Sequence, residues 1–337
     1  MPRPVDTFRP ELPAAGLAGV HASVTSWYAA NARDLPWRRA ECSPWGVMVS
    51  EFMLQQTPVV RVLPVWTEWM ERWPSAADLA SEPAGEALRA WGRLGYPRRA
   101  LRLHAAAQRI TEDHGGVVPA SRAELLALPG VGSYTAAAIA SFAFGSPETV
   151  VDTNIRRVHA RLVTGRALPE PSYTAAEARL ADALMPEAAY DDGGLANAWN
   201  AAVMELGALV CTARSPRCAD CPVLESCAWV AAGRPEPHYV PKGQPWAGTD
   251  RQVRGAMMGV LRACDAPVPR DLLLGGVDVV FPAARDGDLL PGGTEAAPAW
   301  RLLTELAAAA PQRERSLAGL LADGLAHEGP AGIALPH

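Results

Sequence analysis

The sequence predicts an all-α fold over about residues 16–233. Apolar residues recur there at three- and four-residue spacing, and alternating strand patterns are absent. Gly and Pro separate the apolar runs at positions typical of helix ends, as at Gly115-Gly116 and Pro129-Gly130. The predicted helices cover residues 20–32, 45–56, 59–72, 83–91, 100–113, 122–128, 134–144, 153–163, 175–184 and 196–210.

The last part of the chain has a different composition. Residues 234–250 are rich in Pro and Gly and predict a linker. Beyond them we expect helices at 251–263, 301–310 and 314–325, and one short strand at 277–281. Residues 282–298, rich in Pro, Gly and Asp, predict a flexible insertion. Residues 251–337 are therefore predicted to form a small α-rich module with a winged-helix-like pattern.

The charge balance excludes only one kind of nucleic-acid binding. The 337 residues include 31 Lys+Arg and 36 Asp+Glu, a net charge of −5, so binding through overall basicity is excluded. Local basic groups remain, because the stretch from Arg89 to Arg109 holds six arginines and no acidic residue. Further candidate phosphate contacts are Arg156, Arg157, Arg214 and Arg217.

The chain shows no sign of export or membrane insertion. Its first ten residues carry charges and no apolar core, unlike a signal peptide. The longest nearly apolar run, at 136–144, is about half the length of the ~20-residue stretch that a membrane span needs. We therefore expect a cytoplasmic protein without a membrane partner, whose cysteines are thiols or metal ligands.

Four cysteines form one compact motif with C-x6-C-x2-C-x5-C spacing. They are Cys211, Cys218, Cys221 and Cys227. Four thiolates so close in sequence suit zinc or an iron–sulfur cluster. Zinc ribbons usually use two C-x2-C hooks, and this motif has one, which favours a [4Fe–4S] cluster. A pair of disulfides is the alternative, and the expected compartment argues against it.

The segment Leu128-Pro129-Gly130-Val131-Gly132 separates two predicted helices. Its glycines expose successive backbone N–H groups, and the following helix adds its unsatisfied N-terminal donors. Because the turn joins two helices and does not follow a strand, it indicates a helix–hairpin–helix that binds a DNA phosphate. A plain helix-to-helix turn would use the same glycines.

Two carboxylates lie in contrasting positions. Glu51 falls within an apolar helix, where its charged form is disfavoured and a protonated carboxyl can act as an acid; a surface glutamate is the alternative. Asp152 precedes a helix, where it is expected to be the N-cap and to stay ionised near the helix's positive end. One protonated and one ionised carboxyl are what glycosidic bond cleavage requires.

These motifs together resemble the adenine DNA glycosylase (MutY) family of the helix–hairpin–helix glycosylase superfamily. The resemblance covers about residues 24–230 and depends on five motifs in order. These are 50–57 (SEFMLQQT), 94–96 (LGY), 128–135 (LPGVGSYT), 151–154 (VDTN) and the four cysteines. It implies two helical subdomains with a DNA cleft between them, one of about residues 40–150 and one formed by the N-terminal helix with 151–233.

The resemblance also implies a reaction and its residues. The expected substrate is double-stranded DNA with adenine mispaired with 8-oxoguanine or guanine, bound by a monomer. Glu51 would protonate adenine N7, and Asp152 would stabilise the cationic sugar, with Tyr134 and Asn154 positioning it. The segment with Arg33, Leu35, Trp37 and Arg38 resembles the adenine pocket, and Gln55, Gln56, Thr57, Leu94 and Tyr96 would surround the opposite base. Core packing is the alternative for the leucine and aromatic positions.

One residue separates this family from its nearest relatives. Endonuclease III proteins carry lysine where Tyr134 stands, and a lysine amine can form a Schiff base that drives strand cleavage. Tyrosine therefore indicates a monofunctional glycosylase. The alternatives are an endonuclease III-like glycosylase/lyase for oxidised pyrimidines and, from another class, an iron–sulfur electron-transfer protein or a DNA-binding protein without activity.

The sequence departs from many relatives at two places. Ala201 stands where they have Gln or Glu able to hydrogen-bond adenine. Their C-terminal Nudix-like β-rich domain, which reads 8-oxoguanine, has no counterpart in the strand-poor pattern after residue 250. Recognition of the opposite base is therefore expected to depend on other residues.

Overall fold

Helices carry nearly all the regular structure in the computed structural model, which describes residues 16–187, 193–240, 243, 245–275 and 291–337. The helices are α1 (Gly16–Asn31), α2 (Pro44–Leu54), α3 (Val59–Arg72), α4 (Ala76–Ala80), α5 (Ala84–Trp91), α6 (Arg98–His114), α7 (Arg122–Ala127), α8 (Ser133–Phe144), α9 (Thr153–Leu162), α10 (Ala175–Ala183), α11 (Gly193–Leu209), α12 (Ala228–Ala231), α13 (Asp250–Ala263), α14 (Arg270–Leu273), α15 (Gly293–Thr304) and α16 (Ala310–Ala322). The only strands in the described residues are β1 (His327–Gly329) and β2 (Gly332–Ala334). The predicted all-α class is confirmed.

The described residues fall into two compact units. The first comprises Met1–Met48, Ala120–Ala127 and Val131–Lys242, so far as they are described. Its core joins α1 to α8, α9, α10 and α11, with Val20, Val24, Trp199 and Leu206 buried together. Because α11 is apolar on several faces, it packs against both α1 and α9.

The second unit comprises Val49–Pro119, Leu128–Gly130 and Gly243–His337. Its core contains three buried tryptophans in edge-to-face contact, with ring centroids 4.9 Å apart for Trp69–Trp73 and 5.6 Å apart for Trp69–Trp91. Such offset aromatic pairs add to the stability that burial gives. Helix α4 begins with a capping box between Ser75 and Asp78, a signal that our sequence analysis missed.

The described residues after 250 are mostly helical, as the sequence predicted, and their winged-helix-like character stays a prediction. In the described residues, α13 is followed by an extended segment, α14, α15, α16 and the hairpin β1–β2. Val268 forms an isolated bridge with Ile333, which adds a third extended segment beside the hairpin. The sequence analysis did not predict this hairpin.

Three predictions for this module fare differently. A flexible insertion over 282–298 is wrong from residue 293, because α15 includes 293–298 and buries Ala296 and Trp300. The helix predicted at 301–310 instead starts at Gly293 and ends at Thr304. It starts early because packing of α15 on α13 overrides the effect of Pro298. The strand predicted at 277–281 lies outside the described residues.

The module is bonded to α5 within the second unit. The Gly85 amide donates to the Pro336 carbonyl at 2.7 Å, and Arg262 Nε donates to the Leu88 carbonyl at 2.8 Å. In return, the Arg89 guanidinium donates to the carbonyls of Arg262 and Cys264. The predicted division into a body, a linker and a module stays a prediction. No helix of the described residues is long and apolar enough to span a membrane.

Candidate functional site

Glu51 lies in α2 and is 6% exposed. The alternative of a surface glutamate is therefore wrong. Its helix neighbours Phe52 and Met53 are fully buried, as the apolar pattern predicted.

Asp152 is the N-cap of α9, as predicted. One carboxylate oxygen accepts from the Ile155 amide at 2.7 Å, and the other accepts from Asn154 Nδ2 at 2.8 Å. The capping geometry arises because the backbone of Asp152 is extended while the next residue begins the helix. Burial raises the pKa of Asp152 above its ordinary value, and the accepted hydrogen bonds and Arg157 oppose that rise. The ionised form of Asp152 is therefore less favoured than its role as an N-cap alone would suggest.

A hydrogen-bonded chain connects Asp152 to the cysteine loop. Arg157 Nη2 donates to Asn154 Oδ1 at 2.8 Å, and Arg157 Nε donates to the Cys211 carbonyl at 2.7 Å. Gly207 in α11 makes room for Asn154, because a Cβ there would meet Asn154 Cβ at 2.7 Å. Arg157, expected to contact phosphate, is 9% exposed and acts inside the protein, so that prediction is wrong.

The four cysteines line one cavity of about 30 Å³. In the described residues, no three Cys, His, Asp or Glu side chains are placed to hold a single metal ion. Four cysteines around one cavity suit an iron–sulfur cluster or zinc. Burial raises the pKa of Cys221 to about 11, so this thiol needs a bound metal ion to become a thiolate.

Arg161 supplies a cation beside this cavity. Its Nη1 lies 3.4 Å from Cys211 Sγ, and its guanidinium stacks 4.8 Å from the ring of Trp229. Arg217 donates to the Leu209 carbonyl at 2.8 Å and so braces the loop itself. The sequence analysis did not identify Arg161, because a helix arginine carries no motif of its own.

The hairpin between α7 and α8 has the backbone that an anion site needs. Gly130 has φ +78°, and a Cβ there would meet Arg102 Cβ at 2.6 Å, so only glycine fits. Gly132 is the N-cap of α8, and no side chain caps this end. The turn therefore leads directly into the N-terminal end of α8, which carries the positive end of the helix dipole.

Glu205 organises the segment that resembles the adenine pocket. It is fully buried and accepts from the Arg33 amide at 3.0 Å, from Arg33 Nε at 2.7 Å and from Arg38 Nη2 at 2.9 Å. Burial alone would raise the pKa of Glu205, but the bonds from Arg33 and Arg38 lower it to about 2. Leu35 and Trp37 between these arginines are buried, in keeping with the packing alternative. The sequence analysis missed Glu205, although a glutamate in an apolar helix was the signal used for Glu51.

The two segments expected around the opposite base are in contact. Thr57 Oγ1 donates to the Leu94 carbonyl at 3.2 Å. Gln56 and Tyr96 both have left-handed backbones, with φ 56° and 48°. Leu94 is 4% exposed, which favours its packing role, whereas Tyr96 is 48% exposed and can reach a ligand.

Most arginines expected to contact phosphate have partners within the protein. Arg98 pairs with Asp323, Arg109 with Asp113 and Arg156 with Glu177. For Arg156 the side chain is 11% exposed, so the predicted phosphate contact is wrong. In the described part of the chain, Arg93, Arg102 and Arg214 form no ion pair, which leaves them as the candidates.

Comparisons with known proteins identify the class. Residues 49–183 match the HhH-GPD superfamily of base excision DNA repair proteins, and residues 211–227 match the iron–sulfur binding domain of endonuclease III. A thermostable thymine-DNA glycosylase of known structure has a TM-score of 0.56 at 27% identity, covering 64% of this chain and 97% of that one. The structure of an endonuclease III–DNA complex has a TM-score of 0.53 at 23% identity. It also covers 64% of this chain and 97% of that one, and it shows that the fold is shared. The fold and the cysteine site thus define an iron–sulfur, helix–hairpin–helix DNA glycosylase.

More similar relatives specify the family. An adenine DNA glycosylase of Mycobacterium tuberculosis is 48% identical over 90% of this chain and 88% of its own length. One from Mycolicibacterium smegmatis is 51% identical over 77% of this chain and 86% of its own length. The chain belongs to the adenine DNA glycosylase family, and its cofactor is a [4Fe–4S] cluster.

Proposed function

We propose that this protein removes adenine mispaired with 8-oxoguanine or guanine in double-stranded DNA by hydrolysing the N-glycosidic bond. It acts as a monomer on chromosomal DNA in the bacterial cytoplasm. The observation that carries the proposal is the half-buried Asp152 carboxylate, held by the Ile155 amide and Asn154 in a chain of this family. A carboxylate fixed in this way stabilises a nearby cation strongly, because little water competes.

The proposed reaction uses the two carboxyl groups in different roles. The adenine is first flipped out of the duplex, since its glycosidic bond is inaccessible in the stack. Glu51 donates a proton to N7 of adenine, which makes the base a better leaving group. Asp152 stabilises the cationic sugar that remains, with Asn154 and Tyr134 positioning it, and water completes the hydrolysis.

The remaining predicted residues bind the DNA and the base. Arg33 and Arg38, both held by Glu205, line the adenine pocket, and the buried Leu35 and Trp37 support this segment by packing. Gln55, Gln56, Thr57 and Tyr96 surround the opposite base, and the buried Leu94 supports them by packing. The amides at Gly130 and Gly132 bind a phosphate.

The cluster's proposed role is structural. It cross-links the loop through Cys211, Cys218, Cys221 and Cys227, and the Cys211 carbonyl fixes Arg157, which holds Asn154. Asp152 is thereby connected to the loop through two side chains.

Base release from a panel of duplexes tests this function. Adenine would be placed opposite 8-oxoguanine, guanine or thymine, and we expect release from the first two and little from the third. Absence of adenine release opposite 8-oxoguanine would contradict the proposal.

Because Tyr134 stands where endonuclease III proteins have lysine, we also predict that the protein does not cleave the DNA strand. Because tyrosine has no amine, no sugar adduct should be trapped by borohydride, and strand scission should require added base. A trapped adduct on oxidised pyrimidines would favour the glycosylase/lyase alternative.

A further inference from the structure

We propose that Arg99 is a positioning residue that sets the preference for the base opposite adenine. It does so by fixing the backbones of Gln56 and Tyr96. The inference rests on the proposed function in one respect, namely that these two side chains meet the opposite base. The fixing itself follows from contacts within the second unit.

Arg99 bonds to both segments at once. Its Nη1 donates to the carbonyls of Phe52 and Met53 at 2.9 and 3.2 Å and to that of Gln55. Its Nη2 donates to Thr57 Oγ1 and the Gly95 carbonyl, each at 3.1 Å. One planar guanidinium thus joins the end of α2 to the loop before α6. A lysine ammonium could not serve so many acceptors in one plane.

The cost of burying Arg99 indicates that the site is specialised. The residue is 6% exposed, and no carboxylate pairs with it in the described residues. Desolvation lowers its pKa to about 10, so it stays charged at neutral pH. Carbonyls at the C-terminal end of α2 supply the compensating negative potential. A buried charge without a partner carboxylate is expensive, and an apolar residue would stabilise mere packing better.

Gln56 and Tyr96 are the residues whose backbones Arg99 would hold in place. They are two of the three non-glycine residues with positive φ in the described chain. A left-handed backbone is unfavourable for such residues, so surrounding contacts must hold it. Arg99 contacts the groups on both sides of Gln56, namely the Gln55 carbonyl and Thr57 Oγ1. It also bonds to Gly95, immediately before Tyr96, whose ring centroid lies 5.3 Å from the guanidinium.

The test compares Arg99→Lys and Arg99→Met with Arg98→Met. Arg98 is a matched control, because it precedes Arg99, loses the same charge and has a side chain that is 56% exposed. Single-turnover adenine release would be measured on duplexes with 8-oxoguanine and with guanine opposite adenine. Hydrogen exchange would be followed for residues 55–57 and 94–96, and visible absorbance would report the cluster.

We expect Arg99→Lys to change the ratio of the two rates about tenfold, since displacements of about 1 Å alter rates by up to about 100-fold. Exchange in both segments should rise in the Arg99 variants. Arg98→Met should keep the wild-type ratio and exchange. If Arg99→Met does not fold, Arg99→Lys, which keeps the charge, decides the matter.

The possible failures are distinguishable. An unchanged rate ratio in Arg99→Lys, or an equal loss of both rates, overturns the inference and indicates a purely structural residue. Wild-type protein that releases no adenine from either duplex overturns the proposed function. In that case the exchange data alone decide whether Arg99 fixes the two segments, and unchanged exchange would contradict the fixing itself.

Discussion

Glu205 shows how single buried groups are stabilised by specific partners. Two arginines and one amide surround its carboxylate, so its charge is retained although no part of the residue is exposed. Removing the charge would leave Arg33 and Arg38 without their counterion. Burial of an unpaired charge costs more than the original pair contributes.

We predict that Glu205→Gln lowers the free energy of unfolding by about 3 kcal/mol, the usual cost of breaking a buried ion pair. Urea denaturation followed by circular dichroism would measure it. Glu170→Gln is the control, since Glu170 forms an ion pair with the exposed Arg166 and such pairs contribute little. Equal effects of the two substitutions would contradict the role given to Glu205.

The buried His159 is predicted to make the stability of the protein depend on pH. It is buried in α9, and desolvation lowers its pKa from 6.5 to about 4. The unfolded chain therefore binds the proton more tightly, so stability is complete above pH 6.5 and is lost as the pH falls towards 4. The loss is on the order of 3 kcal/mol. His159→Gln should remove this part of the pH dependence of urea denaturation, and an unchanged slope would refute it.

At the scale of elements, α9 and α11 must approach closely for Asp152 to be held. Gly207 of α11 lies against Asn154, and its missing side chain allows the contact. Asn154 then bonds to Asp152 and to Arg157 simultaneously. The close approach of two helices therefore determines the orientation of the carboxylate for which we propose the catalytic role.

We predict that Gly207→Ala displaces Asn154 and slows adenine release about tenfold or more, because small misplacements near the reacting groups are costly. The matched control is Gly259→Ala in α13, where a new Cβ would be 3.8 Å from Ala299 Cβ, an ordinary contact. Single-turnover rates with intact cluster absorbance would be compared. A normal rate in Gly207→Ala would argue against the Asn154 contact.

At the scale of the whole molecule, the net charge of −5 means that DNA binding must depend on local contacts. Not every arginine of the acid-free stretch is free to make them, because Arg89 and Arg98 bond to residues after 250 and Arg99 joins two segments of its own unit. The C-terminal module is bonded to α5 and is therefore part of the second unit's structure.

We predict that Gly85→Ala weakens this attachment, because a Cβ there would meet the Pro336 carbonyl oxygen at 2.5 Å. A loss of about 1 kcal/mol would lower Tm by roughly 2–4 °C for a chain of this size. Thermal denaturation would measure it, with Gly259→Ala again as the control. An unchanged Tm would show that the tail is not held there.

The sequence predicted the helices, the cysteine motif and the buried position of Glu51, because each has a local pattern. It could not predict which member of a pair such as Arg98 and Arg99 is buried, since both occupy one helix turn and only tertiary packing separates them. Arg156 and Arg157 were misassigned for the same reason. The β1–β2 hairpin was not predicted, because a strand of three residues is too short to show a recognisable alternation of apolar and polar residues.

The central claim is that Glu51 and Asp152 carry out adenine excision. Its most direct test is the single-turnover rate of adenine release opposite 8-oxoguanine for wild-type, Glu51→Gln and Asp152→Asn proteins that retain the cluster absorbance. We predict that each substitution reduces the rate by at least about 100-fold, the usual contribution of a general acid or a fixed charge. Release at the wild-type rate in either variant would contradict the assignment of that residue.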